Sequence, residues 1–230
     1  MITPYDWQEG IGHRAQYVES RLSSGVPVIA ASLDEGVLAV TYRRQSRKVF
    51  EIYDRLMFAG LGLQSDVESL RVSAIDYCHQ EGYQRSEQDV TIQRVVAAIS
   101  DPVKRAFADF GSPPVVAKSL FMQVGEAPEL DRYYEIDYHG DFSSDRGASF
   151  LCGKEDAAKV IRAGLAEMSL EKVTVEEAVG QLEALVVKSL DPEGTLTREQ
   201  ICADLTLEAG ILGRDPTAVR AFTLLHGDWD

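Results

Sequence analysis

The chain has 230 residues, of which 45% are hydrophobic and 26% are charged, as is typical of a soluble globular protein with one large domain. Its formal net charge of −14 repels phosphate backbones and anionic membranes, so nucleic-acid binding is not expected. No apolar run approaches the roughly 20 residues of a membrane span. The acidic first ten residues do not resemble a signal peptide, and three scattered cysteines suggest a reducing compartment. We therefore expect a cytoplasmic protein.

The N-terminal segment is predicted to be a polar helix. Thr3 is suited to cap it and Pro4 to occupy its first position. Because Gly10 and Gly12 weaken the early turns, regular helix is safest from about residue 13 to residue 22.

The order of the remaining elements predicts the fold class. In chain order they are strands 26–33 and 36–42, strands 48–52 and 55–60, helices from Ser65 and Thr91, strands 115–124, 131–138 and 147–152, helices from Lys154 and Thr174, and strands 201–212 and 217–225. Helices in consecutive pairs and strands in runs oppose the strict alternation of a parallel α/β fold. The order predicts an α+β fold, namely a four-layer αββα sandwich of two antiparallel sheets between helix pairs.

Several motifs resemble the proteasome subunit family, in the family's order and spacing. They are Gly36-Val-Leu-Ala-Val40, Lys48-Val-Phe-Glu-Ile-Tyr-Asp54 with Phe58-Ala-Gly60, Gly153-Lys-Glu-Asp-Ala157, and Ala203-Asp-Leu-Thr-Leu-Glu-Ala-Gly-Ile-Leu212. The resemblance covers nearly the whole chain and is strongest to the α-type subunits of bacterial core particles. It implies the N-terminal-nucleophile hydrolase fold, with a gate segment and ring-contact helix at 1–24 and the sandwich domain at 25–230.

The resemblance also bears on catalysis, because it places Val26 where catalytic members carry a threonine that becomes the N-terminus. That residue must supply both a hydroxyl nucleophile and a free amine as base, and valine has no nucleophilic atom. Tyr42 stands where catalytic members carry an acid. We therefore predict no catalytic residue, and a structural subunit of a threonine-type endopeptidase complex that is not a peptidase by itself. An active hydrolase processed at Ser23 or Ser24 is the alternative.

Lys48 has two interpretations. It is either a solvated lysine at the start of a strand, the usual environment of lysine, or a ligand-binding residue. In the second, which the α-type resemblance implies, it lines a pocket between ring neighbours and binds the C-terminal carboxylate of a regulatory ATPase tail. Chemistry and family position together favour this activator-tail interpretation.

The resemblance further implies the partners of the chain. They are further copies of itself in a ring, seven-membered in the family, together with β-type subunits and a regulatory ATPase ring, acting in intracellular protein degradation. A ring-forming protein without a protease partner is a further alternative. The four histidines show no ligand spacing, so neither a metal nor a cofactor is expected.

Two functions are predicted for the N-terminal segment. Ring contact is expected at Tyr17, Val18 and Leu22, because a helix ahead of the sandwich should have little core of its own to cover. A chain lacking residues 1–24 should accordingly fold as a monomer. The residues expected to gate the pore are Thr3, Pro4, Tyr5 and Asp6.

Overall fold

The computed structural model describes residues 4–170, 172–215, 217–218 and 220–226. Its helices are α1 (Pro4–Leu22), α2 (Gln64–Gln84), α3 (Ile92–Ala108), α4 (Glu155–Glu167), α5 (Val175–Leu190) and α6 (Arg198–Ile201). Its strands are β1 (Val28–Ser32), β2 (Gly36–Arg43), β3 (Val49–Tyr53), β4 (Leu56–Gly62), β5 (Ala117–Gln123), β6 (Arg132–Ile136), β7 (Phe142–Asp145), β8 (Ala148–Leu151), β9 (Thr206–Gly213) and β10 (Phe222–His226). No helix in this part of the chain is both long and apolar enough to cross a bilayer.

The strands form two five-stranded sheets in which every pairing is antiparallel. The first sheet has the order β10-β9-β2-β1-β8, and the second has the order β3-β4-β5-β6-β7. Helices α4 and α5 cover the outer face of the first sheet, while α2 and α3 cover that of the second. The predicted four-layer αββα sandwich is confirmed.

Strand β1 shows why the first apolar run has no polar alternation. Successive side chains of a strand point to opposite faces of its sheet. Val28 and Ala30 belong to the core between the sheets, whereas Ile29 and Ala31 pack under α4 and α5. Because both faces of β1 are buried, both sets of positions must be apolar.

Three of the strands differ from the sequence-based prediction, and one of them, predicted at 217–225, is observed only at Phe222–His226 as β10. Strand β7 was not predicted, because all four of its residues are exposed and they show no apolar alternation. The predicted strand 201–212 begins only at Thr206, since a capping box formed by Thr197 and Gln200 starts the short helix α6 before it. Local capping therefore overrides the β tendency of the apolar residues at the start of this run.

Helix α1 is longer than its glycines suggested, because its N-terminal half packs against the segment after α3. A Cβ atom on Gly10 would lie 2.8 Å from the ring of Phe110, so any larger residue here would have to displace that ring. Trp7 meets the same ring edge-on with a centroid distance of 4.9 Å. Tertiary contacts thus stabilise turns that are weak in isolation.

The expectation that α1 has little core of its own to cover was wrong. Val18 is 0% exposed and Leu22 is 1% exposed, and both belong to the core between the two sheets. Neither side chain is available at the surface for contact with another subunit. Removing residues 1–24 would open this core, so the truncated chain is not expected to be stable.

Candidate functional site

A cleft of about 560 Å³ lies beside the starts of β1 and β3, and its lining includes Val26 and Lys48. Val26 lies just before β1, and Lys48 lies directly before β3. Thr41 of β2 and Glu208 of β9 are cross-strand partners whose side chains share the inter-sheet face with Leu212 and Ala39. The antiparallel pairing therefore brings residues that are 160 positions apart to one end of the sandwich.

The side chain of Lys48 is directed into the protein. Its Nζ donates one hydrogen bond to the carbonyl oxygen of Val26 and another, 3.0 Å long, to Thr41 Oγ1. Thr41 Oγ1 in turn donates to the carbonyl oxygen of Pro27 at 2.7 Å. Thr41 is fully buried and its hydroxyl proton is engaged, so it is not positioned to act as a nucleophile. Lys48 is anchored, and is not extended into solvent.

Glu208 fixes the backbone that carries Lys48. Its carboxylate is completely buried and accepts hydrogen bonds from the backbone N–H of Lys48 at 3.1 Å and of Val49 at 2.9 Å. The Nε of Arg47 lies 3.7 Å from the same carboxylate. Buried charges are tolerated when they are paired and hydrogen-bonded in this way. Glu208 therefore joins β9 to the start of β3 and sets where the Lys48 side chain begins.

Burial lowers the pKa of Lys48 from its ordinary value of 10.5 to about 7. The negative charge of Glu208 opposes this effect and is the largest influence favouring the charged form. The Lys48 ammonium is therefore only marginally charged at neutral pH in the free subunit. A carboxylate that reaches it would raise its pKa again, so anion binding and protonation are coupled.

The two serines that precede Val26 are bound to the end of α1. Ser23 Oγ donates to the carbonyl oxygen of Ser20 at 2.8 Å, and Ser24 Oγ donates to that of Arg21 at 3.3 Å. Both hydroxyls thus satisfy carbonyl groups that the helix leaves without partners. This arrangement gives neither serine a base to activate it.

Tyr42 faces the helix layer, because it alternates with Thr41 along β2. Its hydroxyl donates to Glu183 of α5 at 2.5 Å, and Arg198 of α6 pairs with the same carboxylate. Burial and this hydrogen bond raise the pKa of the Tyr42 phenol. On the inter-sheet face it is Thr41, not Tyr42, that contacts Lys48.

The cleft is strongly basic although the chain as a whole is acidic. Its lining includes the basic residues Arg21, Arg43, Arg44, Arg47 and Lys48. No aspartate or glutamate is found among the described residues that line it. The cleft therefore suits an anion, and a carboxylate group matches its arginine and lysine donors.

The sequence matches the protein family described as "Proteasome subunit" over residues 23–202, which is most of the chain and includes Val26, Thr41 and Lys48. The chain belongs to the proteasome subunit family.

Curated relatives in this family align along nearly their whole length. "Proteasome subunit alpha" of Xylanimonas cellulosilytica is 28% identical over 93% of this chain and 87% of its own length. The protein of the same name from Streptomyces avermitilis is 26% identical over 99% of this chain and 88% of its own. That of Actinosynnema mirum is 29% identical over 93% and 80%, respectively. Their printed names all specify the alpha type.

The remaining predicted residues of this proteasome-family chain lie apart from the cleft or outside the description. Tyr17 is 50% exposed on α1, and Asp6 is exposed near its start. Thr3 and the side chains of Pro4 and Tyr5 lie outside the described residues. Among the residues that the structure describes, no cluster of three histidine, cysteine or acidic side chains could hold a metal ion.

Sequence reasoning missed Thr41 and Glu208 as parts of the site. Each is a polar residue inside an otherwise apolar strand of this family member, and β2 and β9 both become buried. Polar residues in buried strands require partners, which is a signal that the sequence does contain. The strand register places Thr41 opposite Glu208, and only this tertiary arrangement shows that both residues bond to Lys48.

Proposed function

We propose that the chain is a non-catalytic α-type ring subunit of a proteasome core particle, acting in protein degradation in the cytoplasm. In this role it scaffolds a chamber whose peptide bonds are cut by β-type partners, and residues 1–24 provide the gate and ring-contact segment ahead of the sandwich at 25–230. The names of its curated relatives support the α type.

One observation carries the proposal. Val26 lies just before the first strand, where the family resemblance places the catalytic threonine, and its carbonyl oxygen accepts a hydrogen bond from Lys48. The side chain at this position has no hydroxyl, and the hydroxyls of Ser23 and Ser24 bond to α1. These contacts favour a structural subunit over a hydrolase processed at either serine.

The proposal is tested by purifying the chain alone and together with a family subunit whose mature N-terminus is threonine. Alone, it should keep its full intact mass and hydrolyse no peptide substrate. Together, the two should form a stacked-ring cylinder with peptidase activity, and electron microscopy would count the subunits per ring. Turnover by the chain alone that Ser24→Ala abolishes would refute the proposal, and so would failure to associate with any threonine-led subunit.

We further propose that Lys48 and its cleft dock the C-terminal tail of a regulatory ATPase. The basic lining and the spare donor capacity of the Lys48 ammonium support this function, since an ammonium has three N–H donors and two of them are used within the subunit. Gating by Thr3, Pro4, Tyr5 and Asp6 belongs to the same proposal, because Arg21 near the end of α1 lines the cleft. Deleting residues 1–6 should raise peptide hydrolysis by the assembled particle without an activator.

A further inference from the structure

We infer that the Lys48 cleft selects C-terminal tails that carry acidic side chains next to their terminal carboxylate. The inference rests on the proposed docking function and specifies the chemistry of the partner. It follows from an excess of positive charge in the cleft that one terminal carboxylate cannot match.

The basic residues that line the cleft differ in how deeply they are buried. Lys48 is partly buried, and Arg43 and Arg47 are partly buried with hydrogen bonds to the backbone carbonyl oxygens of Gln45 and Val49. Arg21 and Arg44 are exposed at the rim. Neither forms a salt bridge with the part of the chain that the structure describes.

Because of this difference in burial, Lys48 and the two rim arginines are suited to bind different parts of a tail. The Lys48 ammonium has one donor left, enough for a single oxygen of a terminal carboxylate. The two rim guanidinium groups offer planar pairs of donors that match a carboxylate in a bidentate manner. A tail with no acidic side chain would leave both rim groups unmatched, whereas one or two acidic residues before the C-terminus would pair with them.

A nucleic acid is the less suitable partner for the same cleft. The chain carries a formal net charge of −14, so a long polyanion that extends beyond the cleft meets repulsion. A short acidic tail places its charge inside the cleft alone. Charge complementarity therefore favours a peptide end.

The test uses the assembled protein and synthetic dodecapeptides labelled with fluorescein, measured by fluorescence anisotropy. One peptide ends in Glu-Glu-Leu with a free carboxylate, and a second ends in Gln-Gln-Leu with a free carboxylate. Each is also made with an amidated C-terminus. Comparing free with amidated ends tests docking of the terminal carboxylate, whereas comparing Glu with Gln tests the present inference, so the two can fail separately.

Two surface ion pairs should make the Glu peptide bind about two- to thirtyfold more tightly than the Gln peptide at low ionic strength. This ratio should approach one near 1 M salt, where the screening length is only about 3 Å. The double variant Arg21→Gln, Arg44→Gln should lose the Glu-over-Gln preference but keep the preference for a free over an amidated end. The control Arg85→Gln, Arg105→Gln removes two exposed arginines, one directly after α2 and one in α3, and should keep both preferences.

Equal affinity for the Glu and Gln peptides at low salt would overturn the inference. It would also be overturned if the rim double variant kept the full preference, or if the control variant lost it equally. Tighter binding of a twelve-residue oligothymidylate than of the Glu peptide would show that the cleft selects phosphate.

Discussion

Lys48 is held by three separate parts of the chain. The segment before β1 accepts a hydrogen bond from its ammonium through Val26, and β2 does so through Thr41. Strand β9 holds its backbone through Glu208. Burial of the ammonium removes much of its hydration, and these polar partners only partly replace it, which is why its pKa falls to about 7.

The first prediction concerns the stability of the isolated subunit as a function of pH. The folded pKa of Lys48, about 7, lies below its ordinary value of 10.5, so the folded state binds fewer protons than the unfolded state between these values. The destabilisation is therefore complete below pH 7 and disappears as the pH approaches 10.5. Relative to Lys48→Met, the wild type should gain at most about 5 kcal/mol in unfolding free energy across this window.

Urea unfolding of the wild type, Lys48→Met and the control Lys159→Met at several pH values measures this difference. Lys159 is exposed and its pKa is raised by Asp156, so its removal should leave the pH dependence of stability in this window almost unchanged. Parallel pH curves for the wild type and Lys48→Met would contradict the lowered pKa.

The second prediction concerns Glu208. Glu208→Gln removes the negative charge of a buried acceptor whose Oε1 accepts from the backbone N–H groups of both Lys48 and Val49, and it puts an NH2 donor where Oε2 also accepts from Lys48. Hydrogen bonds to charged groups contribute roughly 1.5–3 kcal/mol, so the unfolding free energy should fall by about that amount. The pKa of Lys48 should fall further, because the nearest negative charge is gone.

Chemical denaturation measures the loss of stability, and Glu199→Gln on α6 is the matched control at an exposed position. The change in Lys48 can be followed by NMR of its labelled side chain during titration. An unchanged titration midpoint would show that Glu208 acts on structure alone.

Helix α1 has two faces with different partners. Its buried face contributes Val18 and Leu22 to the core between the sheets, while Tyr17 remains half exposed. The element is therefore part of the subunit's own core. Only its outer face is free to contact a ring neighbour, and ring contact by Tyr17 stays a prediction.

The third prediction separates these two faces. Leu22→Ala should reduce the unfolding free energy by about 2–5 kcal/mol, the usual effect of truncating a buried leucine. Tyr17→Ala should change it by less than about 0.5 kcal/mol, as surface substitutions do, but should weaken assembly. Denaturation measures the stability of both variants, and analytical ultracentrifugation measures their assembly. If Tyr17→Ala forms rings as stable as those of the wild type, Tyr17 is not part of the interface.

On the scale of the whole molecule, an acidic protein presents one cleft lined by basic residues. The charged and titratable groups around the Lys48 ammonium are Glu208, Arg47, Cys152 and the arginines of the cleft. Binding of an activator tail there requires Lys48 to be protonated, because only the charged ammonium attracts a carboxylate. Docking on the assembled ring is thus expected to depend on pH.

The fourth prediction is that tail docking weakens at alkaline pH. With a Lys48 pKa of about 7, affinity should be about five- to twentyfold lower near pH 8.5 than near pH 6.5. Lys48→Met should lower affinity about tenfold to a hundredfold near pH 6.5, where the charge-assisted hydrogen bond is present. Lys48→Arg stays charged, so it should lose the pH dependence but restore affinity only partly, because its donor geometry differs.

Anisotropy titrations with the free-end and amidated peptides measure this directly, and activator-stimulated proteolysis provides an independent readout. Lys159→Met again serves as the control. If Lys48→Met binds the free-end peptide with unchanged affinity, Lys48 has only a structural role.

The spacing of apolar residues along the chain was sufficient to predict the layers of the fold. Helices such as α3 and α5 carry apolar residues at helical spacing, and β1 and β2 are continuous apolar runs, so their existence and their order in the chain could be predicted. Strand β7 could not be predicted, since it is exposed and shows no apolar alternation. Helix α6 was missed although its capping box, Thr197 with Gln200, is a signal that the sequence does contain.

The sequence alone determined the fold class, the resemblance to proteasome subunits and the absence of a hydroxyl at Val26, and it pointed to Lys48 as a candidate site residue. Only the tertiary structure decided that Thr41 and Glu208 lie opposite each other and both meet Lys48, and that Val18 and Leu22 are buried in the subunit. The physical reason is that side-chain chemistry and local periodicity are properties of residues that are close together in the sequence. Strand register and the burial of a helix face instead depend on contacts between residues that are far apart in it.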